Sequence, residues 1–343
     1  MDAGLIWEYI IKSVVILLGM TLGFAYVTYY ERKALARIQV RIGPNRAGPW
    51  GLLQPIADAV KLIFKEELVP TKADKLLFVL APVITVIPAL IITAVIPWGR
   101  QVSLFGRTIN LYLADINVGT LYITAVASIA VYGIVLAGWS SNNKYALMGG
   151  LRSSAQMISY ELALGLSTIG VLLLAGSLSL LDIVHAQQGV LHLGPLPLPG
   201  WFVFTQPVAF VIFVICAFAE TNRAPFDLPE GESELTGGFH TEYGSMKWAM
   251  FYLGEYMNMI TMSAITATLF LGGWSGPWLP ESLQFVWFFV KLFAMLFLFM
   301  WVRWTFPRLR YDQLMDLGWK VLLPVALLNV LATGAAIYWV GNR

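Results

Sequence analysis

The sequence predicts an all-α polytopic membrane protein: about eight transmembrane helices, one flat amphipathic interfacial helix and an ordered acidic cytoplasmic loop. Three observations carry that prediction. Of the 343 residues, 58% are hydrophobic, and the mean hydropathy is +0.71. Only 12% are charged, about half the share of a soluble domain. Several solidly apolar runs reach the ~20 residues that cross a ~30 Å hydrocarbon core. A β-barrel would alternate apolar and polar residues along each strand, and these runs do not. A net charge of +2 supplies no field for nucleic acid. The one cysteine, Cys216, sits in an apolar run and reads as a small buried hydrophobe. It can form neither an internal disulfide, a CxxC metal site nor an iron–sulfur cluster.

In chain order the spans are about 5–29, 76–97, 115–138, 155–176, 202–220, 247–272, 284–304 and 319–340, in a single integral membrane domain, 1–343. The opening MDAGLIWEYIIKSVV lacks the basic start and small-residue cleavage site of a signal peptide, so the first span reads as a retained helix. The second begins with Thr71-Lys-Ala-Asp74, read as a capping box before LLFVLAPVITV. No internal repeat is visible, which weighs against inverted-repeat transporter folds.

Lys and Arg fix the orientation. The first connection carries nine, from Arg32 to Lys75, and the other odd-numbered connections add Lys144, Arg152, Arg223, Lys247, Arg303, Arg308, Arg310 and Lys320. The opposite side has Arg100, Arg107 and Arg343. Odd connections therefore face the cytoplasm or an organelle's matrix, and both termini face outward. Among the outer connections, VSLFGRTINLYL (102–113) alternates like a small hairpin and VLHLGPLPLPG (190–200) reads as a proline-rich cover. His185 and His192 lie on this side as surface residues, without metal-ligand spacing.

One segment is too short and too charged to cross. GLLQPIADAVKLIFKEE (51–67) sets Leu52, Ile56, Val60 and Ile63 on one helical face, with Asp58, Lys61 and Lys65 elsewhere. Such a helix lies flat with its apolar face down. It is either a membrane-surface anchor or a wall beside a lipid-accessible opening.

Three acids fall within the apolar segments: Glu161, Glu220 and Glu255. A carboxylate in a bilayer costs about 2.5–3.5 kcal/mol by insertion scales, so it turns to protein or water. Ser154, Gly165 and Thr168 share the Glu161 face; Tyr252, Ser263 and Thr266 share that of Glu255. Lys291, in FVWFFVKLFAML, reads as a counter-ion for one of these acids. Two readings stay open. The acids are static pairs that fix helix packing, or desolvated groups that take up and release protons.

The stretch ETNRAPFDLPEGESELTGGFHTEY (220–243) crowds Glu220, Asp227, Glu230, Glu232, Glu234 and Glu242 together, with Arg223 as the only fixed positive charge. Pro225 and Pro229 prevent a regular helix, while Gly231, Gly237 and Gly238 allow tight turns. Phe226, Leu228, Leu235 and Phe239 between the charges indicate a folded, buried loop, whose carboxylates raise one another's affinity for protons. The alternative is a solvated acidic face. The basic stretches YYERKALARIQVRIGPNRAGPWG and FPRLRYDQLMDLGWK complete a cytoplasmic docking surface. The chain has no Walker motif, dinucleotide fingerprint or haem-binding histidine pair, so any redox centre sits on a partner.

These motifs carry a resemblance. YYERKALARIQVRIGPNRAGPWGLLQPIADAVKLIFKE, LRSSAQMISYEL, AETNRAPFDLPEGESELTGGFHTEY and FPRLRYDQLMDLGWK, nearly collinear and with eight spans, resemble the H subunit of bacterial respiratory complex I, the homologue of mitochondrial NADH dehydrogenase subunit 1. The resemblance covers essentially the whole chain. It implies a membrane component of a proton-translocating NADH:quinone oxidoreductase that frames the quinone's opening, forms part of its chamber and couples quinone reduction to protons. Glu31, Arg32, Arg41 and Asp58 would line or support the opening and chamber, with Arg303, Arg308 and Arg310 near it. Glu220, Asp227, Glu230, Glu232, Glu234 and Glu242 would form the coupling loop, and Glu161 and Glu255 the intramembrane continuation, with Lys291 grouped with these acids as their counter-ion. Partners implied are hydrophilic-arm subunits carrying the terminal iron–sulfur cluster, other membrane-arm subunits, quinone and lipids. NAD, FMN and iron–sulfur clusters would reside on the partners. The location implied is a bacterial plasma (inner) membrane, or the mitochondrial inner membrane if organellar. Some members carry an acid in the third span; VGTLYITAVASIAVYGIVLAG has none, so a proton route there needs water, Ser128 or Tyr132. The alternatives are the homologous component of a membrane-bound hydrogenase or other ferredoxin-linked complex, and a stand-alone proton-coupled transporter.

Overall fold

Helix α1 (Ala3–Ile38) runs 36 residues in the computed structural model, which describes residues 3–104, 107–193, 196–228, 237–277, 279–280 and 283–341. The helix continues past the expected end of the first span, so Glu31, Arg32 and Arg37 stand on a rigid helix and not in a connection. The chain then turns, with Val40 and Trp50 at left-handed φ of 53° and 54°. Tyr29 closes this turn by donating its hydroxyl to Trp50 O at 2.7 Å. Helix α2 (Gln54–Ile63) has Pro55 in its first turn, where a missing N–H is tolerated. None of its residues is buried. Ile56, Val60 and Ile63 are exposed together, the apolar face of an interfacial helix.

Helix α3 (Lys75–Thr93) is capped by Asp74, whose carboxylate accepts from Leu76 N and Leu77 N. This corrects the expected capping box: Asp74 is itself the cap, and Thr71 precedes the helix. The hairpin expected at 102–113 is present, with β1 (Gln101–Leu104) antiparallel to β2 (Arg107–Asn110) and Val102 opposite Ile109. Helix α4 (Gly119–Ser140) lies tight against α3. A Cβ at Gly133 would fall 2.2 Å from Thr85 Oγ1, so only glycine permits this approach.

Helix α5 (Lys144–Ala175) is capped by Asn143 and begins well before the expected start at 155. It stops at Gly176 in the left-handed conformation, a common helix ending. The short helix α6 (Leu180–Ala186) follows. The expected proline-rich cover is built as a second hairpin, β3 (Val190–Leu193) against β4 (Leu196–Pro199). A two-stranded ribbon consists only of edge strands, where proline is tolerated. His185 is exposed and meets the Trp274 ring edge-on at 5.8 Å; the His192 side chain lies outside the described residues.

The expected fifth span is two helices, α7 (Phe202–Thr205) and α8 (Pro207–Glu220), broken at Gln206 with φ −129° and ψ 53°. Pro207 disfavours the helical conformation in the residue before it. Helices α9 (Ser245–Phe270), α10 (Phe285–Thr305) and α11 (Tyr311–Asp316) come next. A π-helical turn (Leu317–Leu322) then leads into α12 (Leu323–Gly341). Pro324 cannot donate to Lys320 O and its ring needs room there, which a widened turn provides.

Among the described residues, six helical stretches are long and apolar enough to cross a membrane, and α8 is a shorter apolar helix. The protein is thus an all-α polytopic membrane protein. Its core lies where α5, α8, α9 and α10 meet. Tyr160, Phe213, Cys216, Tyr256, Phe288 and Phe299 are almost wholly buried there, and Tyr160 ties α5 to α11 by donating to Leu314 O at 2.8 Å.

Candidate functional site

Four remote segments converge on one buried charge cluster. Glu31 from α1 is 4% exposed and Arg223, just beyond α8, is 2% exposed, with Nη1 3.3 Å from Glu31 Oε2. Arg303 near the end of α10 reaches Glu31 Oε1 at 2.6 Å. Glu255 of α9 lies 2.6 Å from Arg223 Nε. Tyr256 donates its hydroxyl to Glu31 at 2.6 Å, shares a 2.8 Å hydrogen bond with Tyr252, and places its ring 4.0 Å from the Arg223 guanidinium. Burial by itself lowers Arg223's affinity for its proton; Glu255, Tyr256 and Glu31 more than reverse this, so it stays firmly cationic. Two guanidiniums thus balance two carboxylates where a lone charge would be costly.

The acidic loop is anchored through its backbone to α5 and to the segment that follows α10. Gln156 Nε2 donates to Ala219 O (2.9 Å) and Phe226 O (2.8 Å), and Leu309 N donates to Pro225 O (3.1 Å). Phe226, Leu228 and Phe239 are buried, and Asp227 is half-buried among them. The loop's second half lies on α5, where a Cβ at Gly149 would fall 2.8 Å from Phe239 N. Tyr243 stacks on Phe78 at 4.0 Å. Burial pushes its phenol up to about 12, opposed by its hydrogen bond with Ser140. Glu242 accepts from Asn143 Nδ2 at 2.7 Å, anchoring the loop to the start of α5. Glu230, Glu232 and Glu234 lie outside the described residues.

Glu161, Glu220 and Glu255 line two cavities that adjoin at Glu220. The first is lined by Glu220, Glu255, Asn222, His240, Tyr252 and Asn258 among others. The second is lined by Glu220, Glu161, Thr120, Thr124, Thr168 and mostly apolar groups. Glu220 is 5% exposed. Among the described residues Asn222 Oδ1 is buried without a hydrogen-bond partner, an acceptor placed where a water would satisfy it. Glu161 is hydrogen-bonded by Ser128 of α4, whereas Tyr132 is 66% exposed.

The other expected residues divide. Arg32 pairs with Asp58 at 2.6 Å, at 47% and 38% exposure, joining α1 to α2; Gln54 supports Asp58 at 3.0 Å. Arg41 donates to Gln39 (2.7 Å) and Arg310 to Asp312 (3.1 Å), both local contacts. Arg308 buries Nε and Nη2 without hydrogen-bond partners among the described residues. Lys291 is a correction. Among the described residues it is no counter-ion to an acid. Its ammonium donates to Leu271 O, Gly273 O and Ser275 O and lies 4.3 Å from the Trp201 ring. Carbonyls left open past the end of α9 attract this cation. Among the described residues no three His, Cys, Asp or Glu gather as a metal site.

Sequence reasoning missed the central place of Arg223, the hydrogen bond from Tyr256 to Glu31, and Asn222 and His240 in the lining of the first cavity. The signals were there: one fixed cation in an acidic stretch, and a tyrosine adjoining Glu255.

The NADH dehydrogenase family matches residues 11–334 of this chain. The H subunit of the NADH-quinone oxidoreductase of Thermomicrobium roseum is 53% identical over 97% of this chain and 98% of its own length. One H subunit from Syntrophobacter fumaroxidans, numbered 2 in that organism, is 53% identical over 97% of both chains. One from Geobacter metallireducens, numbered 1, is 56% identical over 90% of both. With identity at this level over nearly the full length, the chain belongs to the family of NADH-quinone oxidoreductase H subunits.

Proposed function

We propose that this chain frames the opening and part of the chamber for quinone in a proton-translocating NADH:quinone oxidoreductase, and couples quinone reduction to proton movement. The observation that carries this reading is the paired cluster Glu31–Arg223–Glu255, with Glu255 and Glu220 lining one adjoining cavity and Glu220 and Glu161 lining the next. All eight apolar segments cross the membrane in this reading, with both termini outside a bacterial plasma (inner) membrane, or a mitochondrial inner membrane if organellar. Helix α2 lies in the interface beside the opening, held by the Arg32–Asp58 pair.

Quinone reduction takes two electrons and two protons, and the electrons come from an iron–sulfur cluster on a hydrophilic-arm partner; NAD and FMN also belong to partners. Negative charge arriving ahead of its protons in a low-dielectric chamber is costly. Arg303, partly exposed, turns toward that charge. Glu31 then depends more on Arg223, and Arg223 holds Glu255 less tightly. Glu255 and Glu220 respond by taking up protons from water in the cavity between them, and Glu161 continues the route. The hydrogenase-type and transporter alternatives are disfavoured, because relatives matching nearly the whole chain carry the quinone oxidoreductase name.

A structure of the purified assembly with a quinone-site inhibitor tests this reading. Inhibitor density against α1, α2 and the Arg303 side of the cluster is expected; density in a cavity without residues of this chain overturns it.

A further inference from the structure

We propose that Ser128 is a positioning residue for proton exchange at Glu161, a hydroxyl that serves both protonation states of that carboxyl. This rests on the reading that Glu161 takes up and releases protons. Ser128 Oγ lies 2.9 Å from Thr124 O in its own helix and also contacts Glu161 Oε1 from the neighbouring helix α5. A hydroxyl has one proton to donate and lone pairs to accept with, so it cannot donate to both partners at once. When Glu161 is ionised, the Ser128 proton points at the carboxylate, and Thr124 O gives up that bond. When Glu161 is protonated, the carboxyl donates to Ser128 Oγ, and the serine proton returns to Thr124 O. Neither state leaves the carboxyl or the hydroxyl without a partner, which matters where an unpaired polar group is expensive.

The surroundings fit such an exchange. Ser128 is half-buried, as is Glu161. Thr124 and Thr120, one and two turns back on α4, line the same cavity as Glu161. Each of these hydroxyls donates to a backbone carbonyl, Thr124 to Leu121 O at 3.0 Å and Thr120 to Leu178 O at 3.2 Å. Their oxygens are therefore left to accept from water or from Glu161. Among the described residues, Ser128 is the hydroxyl that contacts Glu161, and Glu220, Thr120, Thr124 and Thr168 line the same cavity. The exchange is a rotation about one serine torsion and breaks no covalent bond.

The test is redox-induced infrared difference spectroscopy on the assembled complex, comparing wild type with Glu161→Gln, Ser128→Ala and Ser128→Thr. The carboxyl band present in wild type and absent in Glu161→Gln belongs to Glu161. The proposal expects this band to move to higher frequency in Ser128→Ala, as for an acid that has lost its hydrogen-bond partner. It expects the wild-type position in Ser128→Thr, which keeps the hydroxyl. It also expects coupled proton uptake to fall several-fold in Ser128→Ala and to recover in Ser128→Thr. A band that stays in place in Ser128→Ala overturns the role of Ser128 alone, whatever happens to activity. No band lost in Glu161→Gln overturns the assignment of Glu161 to the proton route, and this proposal with it.

Discussion

Glu31 and Arg303 stand 272 residues apart in the chain and meet at 2.6 Å in a site where the carboxylate is 4% exposed. Arg223 holds the same carboxylate from the other side and Glu255 beyond it. One carboxylate thus ties α1 to α10 and to the start of the acidic loop. A change of charge at any of these positions is felt by the others, because little water is present to screen it.

Arg223 is the centre of this arrangement, and its removal leaves Glu31 short of one partner and Glu255 without its 2.6 Å cation. Breaking a buried pair from one side costs about 3–5 kcal/mol. Arg223→Met is therefore expected to reduce the yield of assembled complex sharply on native gels. Arg223→Lys keeps a charge but not the fork that spans two acids, and should assemble in intermediate yield. Equal, normal yields of both variants would contradict the role given to Arg223.

Glu161→Gln preserves shape and removes only the exchangeable charge. It should assemble normally, while coupled turnover in vesicles falls several-fold. Wild-type turnover and acidification in that variant would remove Glu161 from the route.

The Arg32–Asp58 pair is solvent-exposed, so its worth to stability is about 0.2–1 kcal/mol. Arg32→Ala should leave the melting temperature of the complex nearly unchanged and raise KM for quinone. Unchanged kcat and KM would place Arg32 away from the opening.

Gly149 lets the Gly238–Phe239 backbone rest directly on α5. In Gly149→Ala the added methyl displaces that turn, at about 1–3 kcal/mol for overpacking. Faster proteolysis within 229–240 of the assembled complex is the expected outcome. A digestion pattern like that of wild type would show that the loop is held elsewhere.

The helices were legible because apolar length and period are local properties; so were the 102–113 hairpin, from its alternation, and α2, from the spacing of Ile56, Val60 and Ile63. The clustering of acids at 220–243 was visible for the same reason. Pairing was not. Glu31 to Arg303, Arg223 to Glu255 and Ser128 to Glu161 join segments remote in sequence, and no local pattern encodes which acid meets which base. Lys291 illustrates the error that follows: a lone buried lysine invites a carboxylate partner, yet backbone carbonyls past the end of α9 fill that role. The break at Gln206 and the widened turn at Leu317–Leu322 each had a proline as signal. Inside long apolar runs that signal was outweighed by hydropathy.

Proton translocation per quinone reduced, measured in vesicles carrying the complex with Glu220→Gln, tests the central claim most directly. Glu220 lines both cavities, so the account predicts that acidification is lost while the complex remains assembled. Acidification at the wild-type ratio and rate would contradict it.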